Sequence, residues 1–94
     1  MGSSSQLVAI EELALQNGTH IVNDATEYTN SIDAIYVAEE TVFTSIKVLG
    51  VDAKATYIST PATSIKAGVI IAPLRGQSFS GVQLTSGSIV AILK

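Results

Sequence analysis

His20 is the only imidazole in this 94-residue chain, and there is no cysteine. Thiolate catalysis is therefore closed, and so are metal centres built on several nitrogen or sulfur ligands. A lone histidine acting as general base needs a nucleophile to serve. The G-x-S-x-G elbow does not occur; Ser80-Gly81 follows Ser78-Phe79 instead. Beside the β-branched pair Ile21-Val22, His20 reads as a structural residue. Carboxylates occur as the adjacent pairs Glu11-Glu12 and Glu39-Glu40, with Asp24, Glu27 and Asp33 in or near the polar stretch 23–31. Glycoside hydrolysis requires two carboxylates facing each other across a cleft. Neighbours along a strand point to opposite faces, so neither pair makes that site by itself. They read as solvation of a helix face and of a turn. Asn23, Asp24, Glu27 and Asp33 could offer oxygen ligands to calcium, but their spacing is not that of an EF-hand loop. Gly68, Gly76, Gly81 and Gly87 are spaced as turn residues, not as a phosphate-binding loop. The inventory yields no catalytic residue, no cofactor site and no metal site, so the chain reads as a non-enzymatic protein.

The elements that would position these residues are short strands. His20-Ile21-Val22 is β-prone and precedes the polar stretch 23–31, which reads as a loop. Ile32 to Val37 is apolar on both faces except at Asp33. Thr41 to Val48 alternates, with Val42, Thr44, Ile46 and Val48 on one side and Thr41, Phe43, Ser45 and Lys47 opposite; that period marks a half-buried strand. A turn at 49–52 and a strand from Ala55 to Ser59 follow, closed by Pro61. Val69 to Ala72 is another short run, ended by Pro73. Ser78 to Leu84 carries Phe79, Val82 and Leu84, with Gly81 suggesting a bulge or close approach. After a tight connection, Ile89 to Leu93 is apolar on both faces and should lie inside a sheet or between layers. Strands at this spacing, punctuated by Gly, Pro and Ser, predict an all-β fold, a small sandwich or barrel of about six to eight strands. Residues 1–18 read as an N-terminal arm or short helix, and 19–94 as a single β domain. In the arm, Leu7 to Gln16 supports helix and strand about equally. Phe43 and Phe79 read as core; with five aromatics and no tryptophan, a sugar-stacking platform has little to rest on.

Composition narrows the function further. Charged residues make up 14% of the chain, against roughly 25% in a typical soluble domain. So small a domain has much surface to keep wet. Part of that surface is expected to be buried against other chains, since interface cores are depleted of charge. The net charge is −3, and the five basic residues are scattered, which argues against nucleic-acid binding. No apolar stretch is long enough to span a membrane as a helix. Met1 to Gln6 has neither a basic region nor a long apolar run, so no secretory signal is read there. Asn17-Gly18-Thr19 reads as a turn and not as a glycosylation site.

Two segments carry a resemblance. One is GVIIAPLRGQSFSGVQLTSGSIVAIL, from Gly68 to Leu93; the other is AEETVFTSIKVLGVD, from Ala38 to Asp52. Together they resemble small proteins encoded among the structural genes of tailed bacteriophages, in which an E-x-T-V-F-x-S-I strand precedes I-x-x-G-x-x-I-x-P and a closing F-x-x-I/V-x-L-x-S-G-S. The resemblance spans roughly residues 36 to 93 and rests on strand and turn patterns. It implies a β-rich virion component, such as a capsid decoration protein, a head-fibre subunit or a tail-associated adaptor, assembled in the host cytoplasm. The expected partners are further copies of the chain, a trimer in particular, and other virion proteins such as a major capsid protein. Leu7, Val8, Ile10, Leu13 and Leu15 in the arm, with Ile89 and Ile92 near the C-terminal end, are the expected interface residues. A carbohydrate- or receptor-binding module at a tail or fibre tip is the alternative, favoured if Tyr28 and Tyr36 cluster beside Asn and Asp.

Overall fold

The structure is a computed structural model that describes residues 18–60 and 63–94. The arm with Leu7, Val8, Ile10, Leu13 and Leu15, and the strand break expected at Pro61, lie outside those residues. Seven strands make up the described fold: β1 (Thr19–Val22), β2 (Tyr28–Val37), β3 (Val42–Val48), β4 (Val51–Asp52), β5 (Ile70–Ile71), β6 (Phe79–Ser86) and β7 (Ile89–Leu93). A single helical turn, α1 (Lys54–Tyr57), separates β4 from β5. All pairings are antiparallel, in the order β1-β7-β2-β6-β3-β4, with β5 also on β2. The all-β expectation holds.

β2 is the hinge of this arrangement. Its first half pairs with β6, through Tyr28↔Val82 and Thr29↔Gly81, and its second half pairs with β7, from Ala34↔Ile92 to Val37↔Ile89. Register shifts fall between the halves, at Thr29/Ile32 and Ile32/Ala34. Bulges bend a strand and increase its twist, which lets one sheet turn a corner and fold over itself. The core records the result. Ile35, Val37, Ile89 and Ala91 from one half join Phe43, Ile46, Val82 and Leu84 from the other in one cluster with Ile32 and Phe79. The architecture is sandwich-like, with the core between the two halves of one sheet.

Several local expectations are corrected. The stretch 23–31 is not all loop, because β2 begins at Tyr28, where pairing with β6 recruits polar residues into the strand. The turn expected at 49–52 is tighter: Leu49-Gly50 alone connects β3 to β4. Both residues have positive φ (53° and 77°), as a two-residue hairpin of matching twist requires. Strict alternation along β3 fails, for Phe43, Ser45 and Ile46 are all buried. Register shifts around Phe43 and Ser45 leave Thr44 without a ladder partner, and the buried face changes sides there. The strand expected at Ala55 to Ser59 is instead α1. The Asp52 carboxylate accepts the Lys54 N–H (3.0 Å) and the Ile46 N–H (3.2 Å), and the Lys54 ammonium donates to the carbonyls of Thr44 (3.0 Å) and Phe43 (3.4 Å). These bonds tie the turn to the bulge in β3, a tertiary effect that outweighs the β preference of Tyr57 and Ile58. Of the run Val69 to Ala72, Ile70 and Ile71 form the strand.

Candidate interaction surface

The residues most able to do chemistry are dispersed. His20, on β1, is exposed at one edge of the sheet, its ring stacked on that of Tyr28 with centroids 3.9 Å apart. Glu27 is held by Lys47 in an ion pair of 2.6 Å, and the Asp24 carboxylate accepts the Thr26 N–H (3.0 Å). Glu39 and Glu40 lie on the exposed β2–β3 connection, where Glu40 accepts a hydrogen bond from the Ser64 hydroxyl (3.1 Å). Among the described residues no group of three or more histidine or acidic side chains could hold a metal ion.

What the fold does concentrate is uncharged surface. Among the described strands β1 and β4 end the main strand order, and both carry exposed apolar side chains: Ile21 (63% exposed) on β1, Val51 (68%) on β4 and Leu49 (89%) at the tip leading into β4. A left-handed conformation is costly for any residue with a Cβ, and leucine brings no compensating local hydrogen bond. The Gly50 N–H donates to the Ser80 hydroxyl (2.9 Å), which pins this tip against β6. Val69 and Leu74 are exposed as well. Val69 lines an open groove of about 290 Å³ with Tyr57, Ile58, Ile65 and Ile71, and among the described residues no charged one lines it.

Among known proteins, no family model, no curated protein and no solved structure matches this chain. Its surface therefore has to be read from its own chemistry.

The half of the sheet made by β1, β7, β2 and β5 has two apolar faces. Paired residues share a face, so the register separates them. Val22, Ile89 and Val37 point into the core, as do Ala91, Ile35 and Ile71. Ile21, Val90, Tyr36 and Ile70 make one row on the opposite face, and Thr19, Ile92 and Ala34 make the row beside it. Of the two C-terminal residues expected at an interface, Ile89 is a core residue without exposed surface. Ile92 is on the outer face, yet it too has no exposed surface. Tyr28 and Tyr36 are not clustered; they stand eight positions apart on one strand, in halves that pair with different partners.

Ile21, Leu49 and Val51 were not among the expected interface residues. Leu49-Gly50 between two β-branched residues was a legible hairpin signal. That Ile21 and Val51 stand on outer strands depends on strand order, which is not a local property of the sequence.

Proposed function

We propose that this protein is a non-enzymatic structural subunit of a tailed-phage virion, of the capsid decoration or head-fibre type, that assembles with its own copies and with the particle. The observation that carries the reading is the exposure of Ile21 on β1, Val51 on β4 and Leu49 at the β4 hairpin tip, on the described strands that end the main order of the sheet. Edge strands offer unpaired backbone groups to another chain, and soluble monomers protect them with charge, proline or cover. β1 (Thr19-His20-Ile21-Val22) has no lysine or proline, and β4 has Asp52 alone as a charge. A chain with so few charges gains by burying such edges in a symmetric oligomer. The resemblance of residues 36–93 to phage structural proteins supplies the biological setting.

Light scattering on the purified full-length chain, over a wide range of concentrations, tests the assembly. A stable trimer or larger ring is the expected result. A monomer of 9.8 kDa throughout that range sinks it.

A second reading, a carbohydrate- or receptor-binding module, is favoured by one observation. The His20–Tyr28 stack borders a cleft of about 140 Å³ lined also by Asn23, Asp24 and Glu27. Stacking covers one face of the Tyr28 ring, which leaves little aromatic platform for a sugar. Binding on a glycan array that is lost in Tyr28→Ala would favour this reading over the first.

A further inference from the structure

The chain carries an apolar knob and an apolar groove that lie apart on its surface. The knob is Leu49. It projects from the two-residue turn between β3 and β4, with a left-handed backbone (φ 53°) that glycine or asparagine adopts more readily. Packing inside the fold does not reward that strain, because the side chain is exposed. The tip beneath it is nevertheless held in one position. The Gly50 N–H donates to the Ser80 hydroxyl, and the Asp52 carboxylate accepts the N–H groups of Ile46 and Lys54. Strain that its surroundings hold in place, at an exposed apolar residue, points to a contact. The groove is the one lined by Tyr57, Ile58, Ile65, Val69 and Ile71. Its volume of about 290 Å³ exceeds the roughly 150 Å³ of an apolar cavity that takes up benzene, so a leucine side chain fits. The wall made by Ile65 and Val69 stands beside the start of β3. There the Ile65 N–H donates to the Thr41 carbonyl (2.7 Å), and the Val69 carbonyl accepts the Val37 N–H (2.9 Å). Leu49 follows the last residue of β3, so the whole strand lies between the knob and that wall.

We infer that Leu49 of one copy docks in this groove on the next copy, a head-to-tail contact that rests on the proposed assembly and gives it a geometry. The chemistry of the two surfaces matches. Leu49, Gly50 and Val51 bring no charge to the tip, and among the described residues none lines the groove, so docking strands no ion away from water. Knob and groove are different patches, which makes the contact heterologous: it closes into a ring or runs on as a filament. A single knob covers far less than the roughly 1,200 Å² of a stable interface. In a closed ring every subunit gives one knob and receives another, and the contacts reinforce each other. Tip-to-tip pairing, the isologous arrangement, would leave the groove empty.

The absence of cysteine makes disulfide mapping on the full-length chain direct. Leu49→Cys and Val69→Cys are prepared as separate chains, mixed and then oxidised. The mixture is expected to give a covalent dimer on a denaturing gel, and each chain alone to stay at monomer mass. A dimer formed by either chain alone would set like surfaces together and overturn the inference. So would a mixture that stays uncrosslinked while light scattering shows the same sample to be assembled; the wider reading would then stand without it. A sample that is monomeric at every concentration sinks both. Val69→Arg tests the groove without cysteine. Val69 is exposed, so its melting curve should hold while the solution mass falls to that of one chain. An unchanged mass would overturn the docking.

Discussion

Two hydroxyl groups in and beside β3 show how one chemical change can have opposite effects. Thr41 has no exposed surface, and its hydroxyl lies within hydrogen-bond reach of the carbonyls of Glu39 (2.7 Å) and Ser88 (3.2 Å). Ser45 is buried too, but its hydroxyl has no partner among the described residues. A buried hydroxyl without a hydrogen bond costs free energy, whereas removing a bonded one leaves its partners unsatisfied. Ser45→Ala should therefore stabilise the protein by about 1 kcal/mol. Thr41→Val should destabilise it by about 1–2 kcal/mol. Thermal unfolding of the pair checks both signs at once, and a melting point lowered by Ser45→Ala would contradict the assignment. Gly87 sits against the same threonine. Its φ of 94° is one that side chains rarely adopt, and a Cβ there would collide with Thr41 and the Glu40 carbonyl, both backbone-anchored. Gly87→Ala should cost about 3 kcal/mol, lowering the melting point by more than roughly 10 °C.

Among the elements, the β3–β4 hairpin holds a conflict between local preference and observed residue. Its two-residue turn calls for asparagine or glycine at the first position, where Leu49 sits at φ 53° and 89% exposed. Leu49→Asn should raise stability by about 0.5–1 kcal/mol by relieving that strain. If the tip contacts another subunit, the same variant should lower the solution mass. Opposite movement of melting point and mass would mark Leu49 as a residue kept for contact at the expense of fold stability. A helix at Lys54–Tyr57 follows the same logic of tertiary override. Its four residues have too few internal hydrogen bonds to hold a turn by themselves. They are held by Asp52, by Lys54 on the β3 carbonyls, and by Tyr57, which packs edge-on against Phe79 at 5.0 Å and accepts the Leu74 N–H (3.1 Å).

For the whole molecule, the question is what covers a charge-poor surface. The sheet folds over one core, and among the described residues the strands that end its main order, β1 and β4, carry exposed apolar side chains. Placing a lysine on an outer strand is the ordinary protection against pairing between chains. Ile21→Lys should therefore leave the melting curve of the single chain within about 0.5 kcal/mol while shifting the light-scattering mass toward 9.8 kDa. An unchanged oligomer would move the contact away from β1. The surface ion pair Glu27–Lys47 is a weak contributor at this scale, because both side chains are one-third exposed and screened pairs are worth less than about 1 kcal/mol.

The sequence alone determined the class of fold, because it follows from short-range physics. Period-two patterning, β-branched runs and glycine or proline punctuation mark strands wherever they occur, and Phe43 and Phe79 were legible as core for the same reason. Ile89 to Leu93 was legible as apolar on both faces. Which face met the core was decided only by pairing with β1 and β2, which turns Ile89 inward and Val90 and Ile92 outward. The bulges in β2 and β3, the helical turn at Lys54–Tyr57 and the apolar edges at Ile21 and Val51 belong to the tertiary structure too. Each depends on a partner distant in the chain, and the local pattern holds no record of which strand will lie alongside.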